Sequence, residues 1–394
     1  MALSKIDVAN MVTGAVPVAN GGTALTSGFV NGSDPRPTSK PLIINGNMAV
    51  AQRGTSVSGL TSSGAIQTVD RIKNEIGNIG TYTVAQESLS SGEAYNNGFR
   101  KAWRIDTTTA DASPSAGDSL YVTYSFEGQD LQLFKKGTSN AQKFTLAFWI
   151  KSNKTGTGQV NLRDNDNSRL IGGTYTISSA DTWEHKVVNF AADTTGAFDN
   201  DNAGSMDIEW WLDSGTTYSS GTTPTAWEAF SQADRNASGT LDIADNTAND
   251  WAITGIQLEV GEFSSTTLPP FQHESFAENY HRCCRYFFRR GEISRLGYGC
   301  VSGHASNLAY GAQVYYPTIM RATPSQSHTD TSGFYFTGGG QNQTLVVGGT
   351  IANEGISKFG VSVGGEASGT LGIGNAYWFN TTNSSQYIQW DAEL

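Results

Sequence analysis

The chain has 394 residues, of which 15% are charged, and a net charge of −11; that length accommodates roughly two or three domains. Ordinary globular proteins are about 25% charged, whereas here 45 glycines and many threonines, serines and asparagines predominate, a profile of short strands joined by tight turns that predicts an all-β fold. The acidic balance excludes nucleic acid or an anionic membrane surface as the main partner, because both require a basic patch.

Residues 1–40 are rich in glycine, proline and threonine and show no sustained apolar period, which predicts an extended attachment or stalk segment and not an independent globule. The first twelve residues lack the apolar core of a signal peptide, and no later segment approaches the roughly 20 apolar residues of a membrane span, so no membrane insertion is expected. Residues 41–274 carry strands legible by their two-residue period. Phe144, Leu146, Phe148 and Ile150 alternate with Thr145, Ala147 and Trp149, and Met206, Ile208, Trp210 and Leu212 alternate with Asp207, Glu209, Trp211 and Asp213. Further strands are expected at 119–126, 159–163, 173–177 and 183–190, the short spacing of a β-sandwich or jelly roll.

The run from Asp234 to Asp245 matches most of a twelve-residue calcium loop, with Asp234, Asn236, Ser238, Asp242 and Asp245 as candidate ligands and Gly239 at the turn. A plain strand and turn ahead of Trp251 is the competing reading, and calcium is the one cofactor in question. Ile253, Ile256, Leu258 and Val260 then mark another strand, ended by Gly261. Leu268-Pro269-Pro270 forces extended backbone. From Ser275, an N-cap with Glu278 three residues on, the pattern turns helical and puts Phe276, Tyr280 and Cys283/Cys284 on one stripe. A connecting helix is expected within 275–290, and a smaller β-sandwich domain over 291–394. Arg282, Arg285, Arg289 and Arg290 form the one basic cluster, read as structural. Cys283, Cys284 and Cys300 make neither a disulfide framework nor a zinc spacing.

Several phrases resemble those of tail-fibre proteins of tailed bacteriophages: PVANGGT near the N-terminus, PLIINGNMAVAQRGTS from Pro41 to Ser56 followed by Thr68-Val69-Asp70-Arg71, ITGIQLEVG with the run to Phe288, and VYYPTIMRATPSQS with the closing YIQWDAEL. The resemblance implies a carbohydrate-binding-module-like jelly roll followed by a small terminal β-domain, with Arg53 and Asp70 as a structural ion pair. It also implies a homotrimer in the virion tail, assembled in the host cytoplasm. Residues 1–40 would meet tail or adaptor proteins, and the β-rich terminal tip would bind a host surface receptor, a polysaccharide.

Sugar rings present apolar faces that stack on aromatic side chains, which makes Trp211, Trp227, Tyr377 and Trp378 the candidate glycan contacts. Catalytic residues are not expected. The five histidines, His185, His273, His281, His304 and His328, show no metal-ligand spacing, and Asp207 and Glu209 read as exposed acids on an outer strand face. The alternatives are a tail-associated glycan depolymerase, or a purely structural fibre or decoration protein.

Overall fold

The computed structural model describes residues 40–291, 297–305, 307–338, 341–344, 351–382 and 384–394; residues 1–39 of the expected attachment segment lie outside them. The fold is all-β, with antiparallel sheets and a few short helices. The first sheet is built from β1 (Ser56–Ser62), β2 (Lys73–Ser88), β3 (Lys101–Thr109), β4 (Ser119–Glu127), β5 (Phe144–Ser152), β6 (Gly156–Asp164), β7 (Arg169–Ile177), β8 (Glu184–Phe190), β9 (Gly204–Ser214), β10 (Glu228–Ala229) and β11 (Asp250–Val260). Its order is β10-β7-β6-β9-β4-β2-β3-β11-β5-β8, with β1 on the side of β2.

One long strand makes this sheet a two-layered sandwich. β2 has 16 residues; its first half, Lys73–Gly77, pairs with β4 and its second half, Thr81–Ser88, pairs with β3. Between the halves Asn78 and Gly80 take φ of 53° and 63°, and a Cβ on Gly80 would lie 2.6 Å from the Thr109 carbonyl oxygen, so the chain bends here from one layer to the other. Across the interior, Phe148 meets Tyr175 and Trp210 edge-on at 5.2 and 5.9 Å. At the closing seam, Gly173 of β7 leaves the space that Val188 and Phe190 of β8 fill. The residues of β5 and β9 expected to face inward are all buried; truncating a ring such as Phe148 to alanine costs about 3–5 kcal/mol in such a core.

Gly261 ends β11 with φ of 116°. Ser275 caps the helix Phe276–Cys283, its side chain accepting from the Glu278 backbone N–H at 3.2 Å. Cys283 is buried with Ile44, Val50 and Tyr286, and burial pushes the neighbouring Cys284 thiol up to about 12; both cysteines are free. Phe276 departs from the expected buried stripe: it is 63% exposed, its ring stacked on Tyr280 at 6.1 Å, because the first turn of the helix projects beyond the cluster that covers the last.

The remaining strands are β12 (Phe287–Gly291), β13 (Gly297–Ala305), β14 (Leu308–Tyr315), β15 (Ser325–His328), β16 (Phe334–Gly338), β17 (Gln341–Thr344), β18 (Ile351–Glu354), β19 (Gly360–Glu366), β20 (Ala376–Thr381) and β21 (Tyr387–Asp391). They form a three-stranded sheet, β12-β21-β15, and a seven-stranded sheet, β17-β16-β20-β13-β14-β19-β18, around a core containing Met320, Phe334, Phe336, Phe379, Ile388 and Trp390.

Arginines join the two cores. Arg53 reaches Asp70 at 3.5 Å, Asp391 at 3.0 Å and Glu393 at 3.3 Å, and lies 3.5 Å above the Phe287 ring. Arg71 pairs with Glu393 and stacks 3.6 Å over Tyr286. The Arg53–Asp70 pair is thus present within a larger buried network. Arg282 pairs with Glu274 at 2.7 Å, Arg285 grips Glu127 at 2.7 and 2.5 Å, Arg289 donates to Gln389 at 2.8 Å, and Arg290 donates to the Gly297 carbonyl at 3.3 Å. The basic cluster is therefore engaged within the chain.

Candidate functional site: an aromatic cleft beside strand β11

Three of the four aromatic residues expected to contact glycan have no open ring face. Trp211 is fully buried and stacked on Tyr121 at 4.4 Å. The Arg235 guanidinium sits 4.6 Å from its ring, and its Nε1 donates to Glu209 at 3.1 Å. Trp227 is buried, its Nε1 donating to the Ala191 carbonyl at 2.8 Å, with the Lys136 ammonium 4.9 Å from its ring. Tyr377 belongs to the terminal core and donates no ring face to solvent at 2% exposure. Trp378, its neighbour on the opposite face of β20, is 55% exposed.

Asp207 and Glu209 also depart from expectation. Glu209 is buried against Arg235, which donates to it at 2.7 and 3.0 Å. Asp207 accepts from Ser125 at 2.6 Å and Asn165 at 2.9 Å, and burial raises its pKa. The segment after β9 folds back over Glu209, while β4 and the turn after β6 hold Asp207, which a period-two pattern does not report.

The side chains of four of the five calcium candidates are engaged by protein groups. Asp234 accepts from the Thr222 N–H at 2.7 Å, Asn236 donates to Ser214 at 2.9 Å, and Ser238 pairs with Thr223 at 2.7 Å. In the second half of the loop the Lys154 ammonium lies on the Asp242 carbonyl at 2.9 Å and on the Asp245 carboxylate, a protein cation where the motif asks for a metal. Among the described residues no three His, Cys, Asp or Glu side chains form a group that could hold a metal ion.

The side chains that do converge lie on the outer side of β5, β8 and β11. Phe148 and Ile150 point into the sandwich, so Trp149 between them points out. His185 is its cross-strand partner, and the two rings stack at 4.9 Å with planes 29° apart. Burial, with Lys186 adjacent, lowers the pKa of His185, which leaves a neutral ring at pH 7. On the other side β11 carries a bulge between Thr254 and Gln257, with Gly255 at φ 63°. A Cβ there would come within 2.6 Å of Phe99 and 2.9 Å of Trp149, so only glycine lets both rings approach the strand.

The proline-bearing segment after β11 forms the opposite wall. Gln257 Nε2 donates to the Pro269 carbonyl at 3.1 Å and to Glu259 at 3.3 Å. Phe271 packs edge-on against Phe99 at 4.9 Å, and His273 closes the group at 5.1 Å from Phe99. The result is a cleft of about 380 Å³ with Trp149, His185, Phe99 and Phe271 in its lining, Asn97, Gln257 and Ser265 as polar groups and, among the described residues, no carboxylate. Ligand pockets of about 300–1,000 Å³ combine apolar walls with a few oriented polar groups in this way. The signal in the sequence was a tryptophan on the polar side of β5 and a glycine inside a strand; neither singled itself out beside nine tryptophans and 45 glycines.

No family model matches the sequence, and no curated protein matches it. Similar solved structures include the enzymatically active domain of tailspike protein 4 of bacteriophage CBA120, at 10% identity and a TM-score of 0.29 over 56% of this chain and 21% of that one. They also include a structure described as CBM4, at 9% identity and a TM-score of 0.28 over 55% of this chain and 97% of that one. A third is the CBM22-1 xylan-binding domain of Paenibacillus barcinonensis Xyn10C, at 8% identity and a TM-score of 0.26 over 55% of this chain and 100% of that one. The chain thus spans about a fifth of the length of the tailspike structure, and likenesses at TM-scores of 0.26–0.29 decide nothing about function.

Proposed function

We propose that this chain is a bacteriophage tail-fibre adhesin that holds a host surface glycan in the Trp149 cleft and does not cleave it. The observation that carries the reading is the half-buried Trp149 ring, stacked on His185 within a cleft whose other polar groups are two amides, a hydroxyl and the His273 imidazole. A pyranose face stacks on such a ring while amides orient its hydroxyls. Glycosidases place two carboxyl groups about 5–9.5 Å apart across the scissile bond, and among the described residues the cleft lining contains none, which supports binding over hydrolysis. In this reading trimers in the virion tail, rooted through residues 1–40, bind by avidity: several weak contacts on one particle raise effective concentration without strengthening any one site.

The test is an array of bacterial capsular polysaccharides and O-antigens, probed with the full chain and with Trp149→Ala. Loss of a buried aromatic contact should weaken binding by about 2 kcal/mol, roughly thirtyfold. Unchanged binding by Trp149→Ala would move the site elsewhere, and sustained release of reducing ends from the bound polysaccharide would establish the depolymerase instead.

A further inference from the structure

We infer that the seven-stranded terminal sheet carries a second saccharide-binding groove, between Tyr315 and Phe359. The inference rests on the glycan-binding reading for the class of ligand, and on separate residues for the site. In the β14–β19 pair Tyr315 lies opposite Gly360, Val314 opposite Val361, and Gln313 opposite Ser362. Val314 and Val361 are buried, so alternation puts Gln313, Tyr315, Gly360 and Ser362 together on the outer face. At position 360 a Cβ would lie 2.5 Å from the Val314 carbonyl oxygen and 3.3 Å from the Tyr315 Cα. The floor of the groove is therefore bare backbone, with rings standing at its sides.

Both rings are held open. Tyr315 is 76% exposed and Phe359 is 64% exposed, yet Phe359 does not sit on a loose loop. Its N–H donates to Ser357 Oγ at 3.2 Å, its carbonyl accepts from the Tyr316 N–H at 3.2 Å, and Ser357 closes the turn onto the Gly360 carbonyl at 3.1 Å. A ring carried on a hydrogen-bonded turn needs no backbone ordering when a ligand arrives, which lowers that part of the cost of binding. The groove measures about 370 Å³. Among the described residues its lining includes no arginine or lysine, which disfavours phosphate and carboxylate ligands, since those are gripped by arginine or lysine. Among the described residues no protein group takes up the Gln313 amide, the Tyr315 hydroxyl or the Ser362 hydroxyl. Aromatic walls with uncommitted neutral donors and acceptors fit a neutral saccharide.

The experiment uses an oligosaccharide fragment of the polysaccharide that the array identifies, titrated calorimetrically into the full chain and into Trp149→Ala, Phe359→Ala, Tyr315→Ala and the Trp149→Ala/Phe359→Ala pair. Two sites per chain are expected for the parent, one for each of Trp149→Ala and Phe359→Ala, and none for the pair, with Tyr315→Ala weakening the terminal site roughly tenfold. Since both terminal side chains are exposed, melting temperatures should not move, which separates lost binding from lost folding. A single site that disappears with Trp149→Ala overturns the terminal groove and leaves the proposed function standing. Absence of any array ligand overturns both. If Phe359→Ala lowers the oligomer mass in sedimentation without altering the number of sites, the groove is a contact between copies of the chain, and the inference fails.

Discussion

The first sandwich builds two tryptophan stacks on outward strand faces, and they end in opposite states. At Trp211 the partner ring is Tyr121, and the space above is filled by Arg235, brought with its own counterion, Glu209. At Trp149 the partner is a neutral histidine, the neighbouring backbone is the Gly255 bulge, and the wall opposite is a proline segment standing off the sheet. A stacked pair is a structural pillar where a cation and its carboxylate seal it, and a platform where the chain leaves its face open. Stacking alone does not distinguish the two.

The sealed stack can be broken at its cation. Arg235→Ala leaves buried Glu209 with only the Trp211 Nε1–H and the longer Arg163 contact at 3.7 Å and should lower unfolding free energy by about 3 kcal/mol in denaturant titrations, with the Trp149 cleft unaffected. A smaller response should equal that of a surface substitution and would mean that water enters the Glu209 site. Nearby, burial, opposed by the Ala244 N–H, pushes the Asp213 carboxyl up to about 7. Because the folded pKa lies above the unfolded one, stability from this group is complete below about pH 4 and is lost as pH rises through about 7, on the order of 4 kcal/mol. Asp213→Asn should flatten that decline between pH 4 and 8, and an unaltered slope would assign it to other groups.

The open stack can be closed from beneath. Gly255→Ala places a methyl against Phe99 and Trp149 at a positive φ, and should cost about 1–2 kcal/mol in stability while weakening glycan binding at that cleft. A variant that binds as the parent does would remove the bulge from the site's construction. The smallest effect is expected for calcium: with Lys154 in the second half of the Asp234–Asp245 loop, chelator or added calcium should leave both the melting temperature and glycan binding unchanged. A rise in melting temperature with calcium would restore the loop as a metal site.

Much of the scaffold was readable in advance, and the reasons are local. Strands β5, β6, β7, β8, β9 and β11 fall where a two-residue period put them, and Ser275 caps its helix through Glu278 as the capping pattern requires. β2 was not readable, because it changes layers at Asn78–Gly80, where Ile79 interrupts the alternation of buried residues. Trp211 and Glu209 were read as facing outward, and they do; what covers them is Arg235, more than twenty residues later in the chain. The spacing of the Asp234–Asp245 loop likewise says nothing of Lys154, which reaches Asp245 from the turn between β5 and β6.

Alternation, caps and turn residues act between neighbours a few positions apart, so the amino-acid order by itself determined the all-β class, the side that the residues of regular strands such as β5 and β9 face, and the place of the connecting helix. Which outward faces were then sealed and which stayed open depended on contacts between distant segments: Arg235 over Trp211, Lys154 on Asp245, and the stand-off of Leu268–His273 from Trp149. Those contacts arise from how the layers close, and that is why only the tertiary structure could decide between pillar and platform.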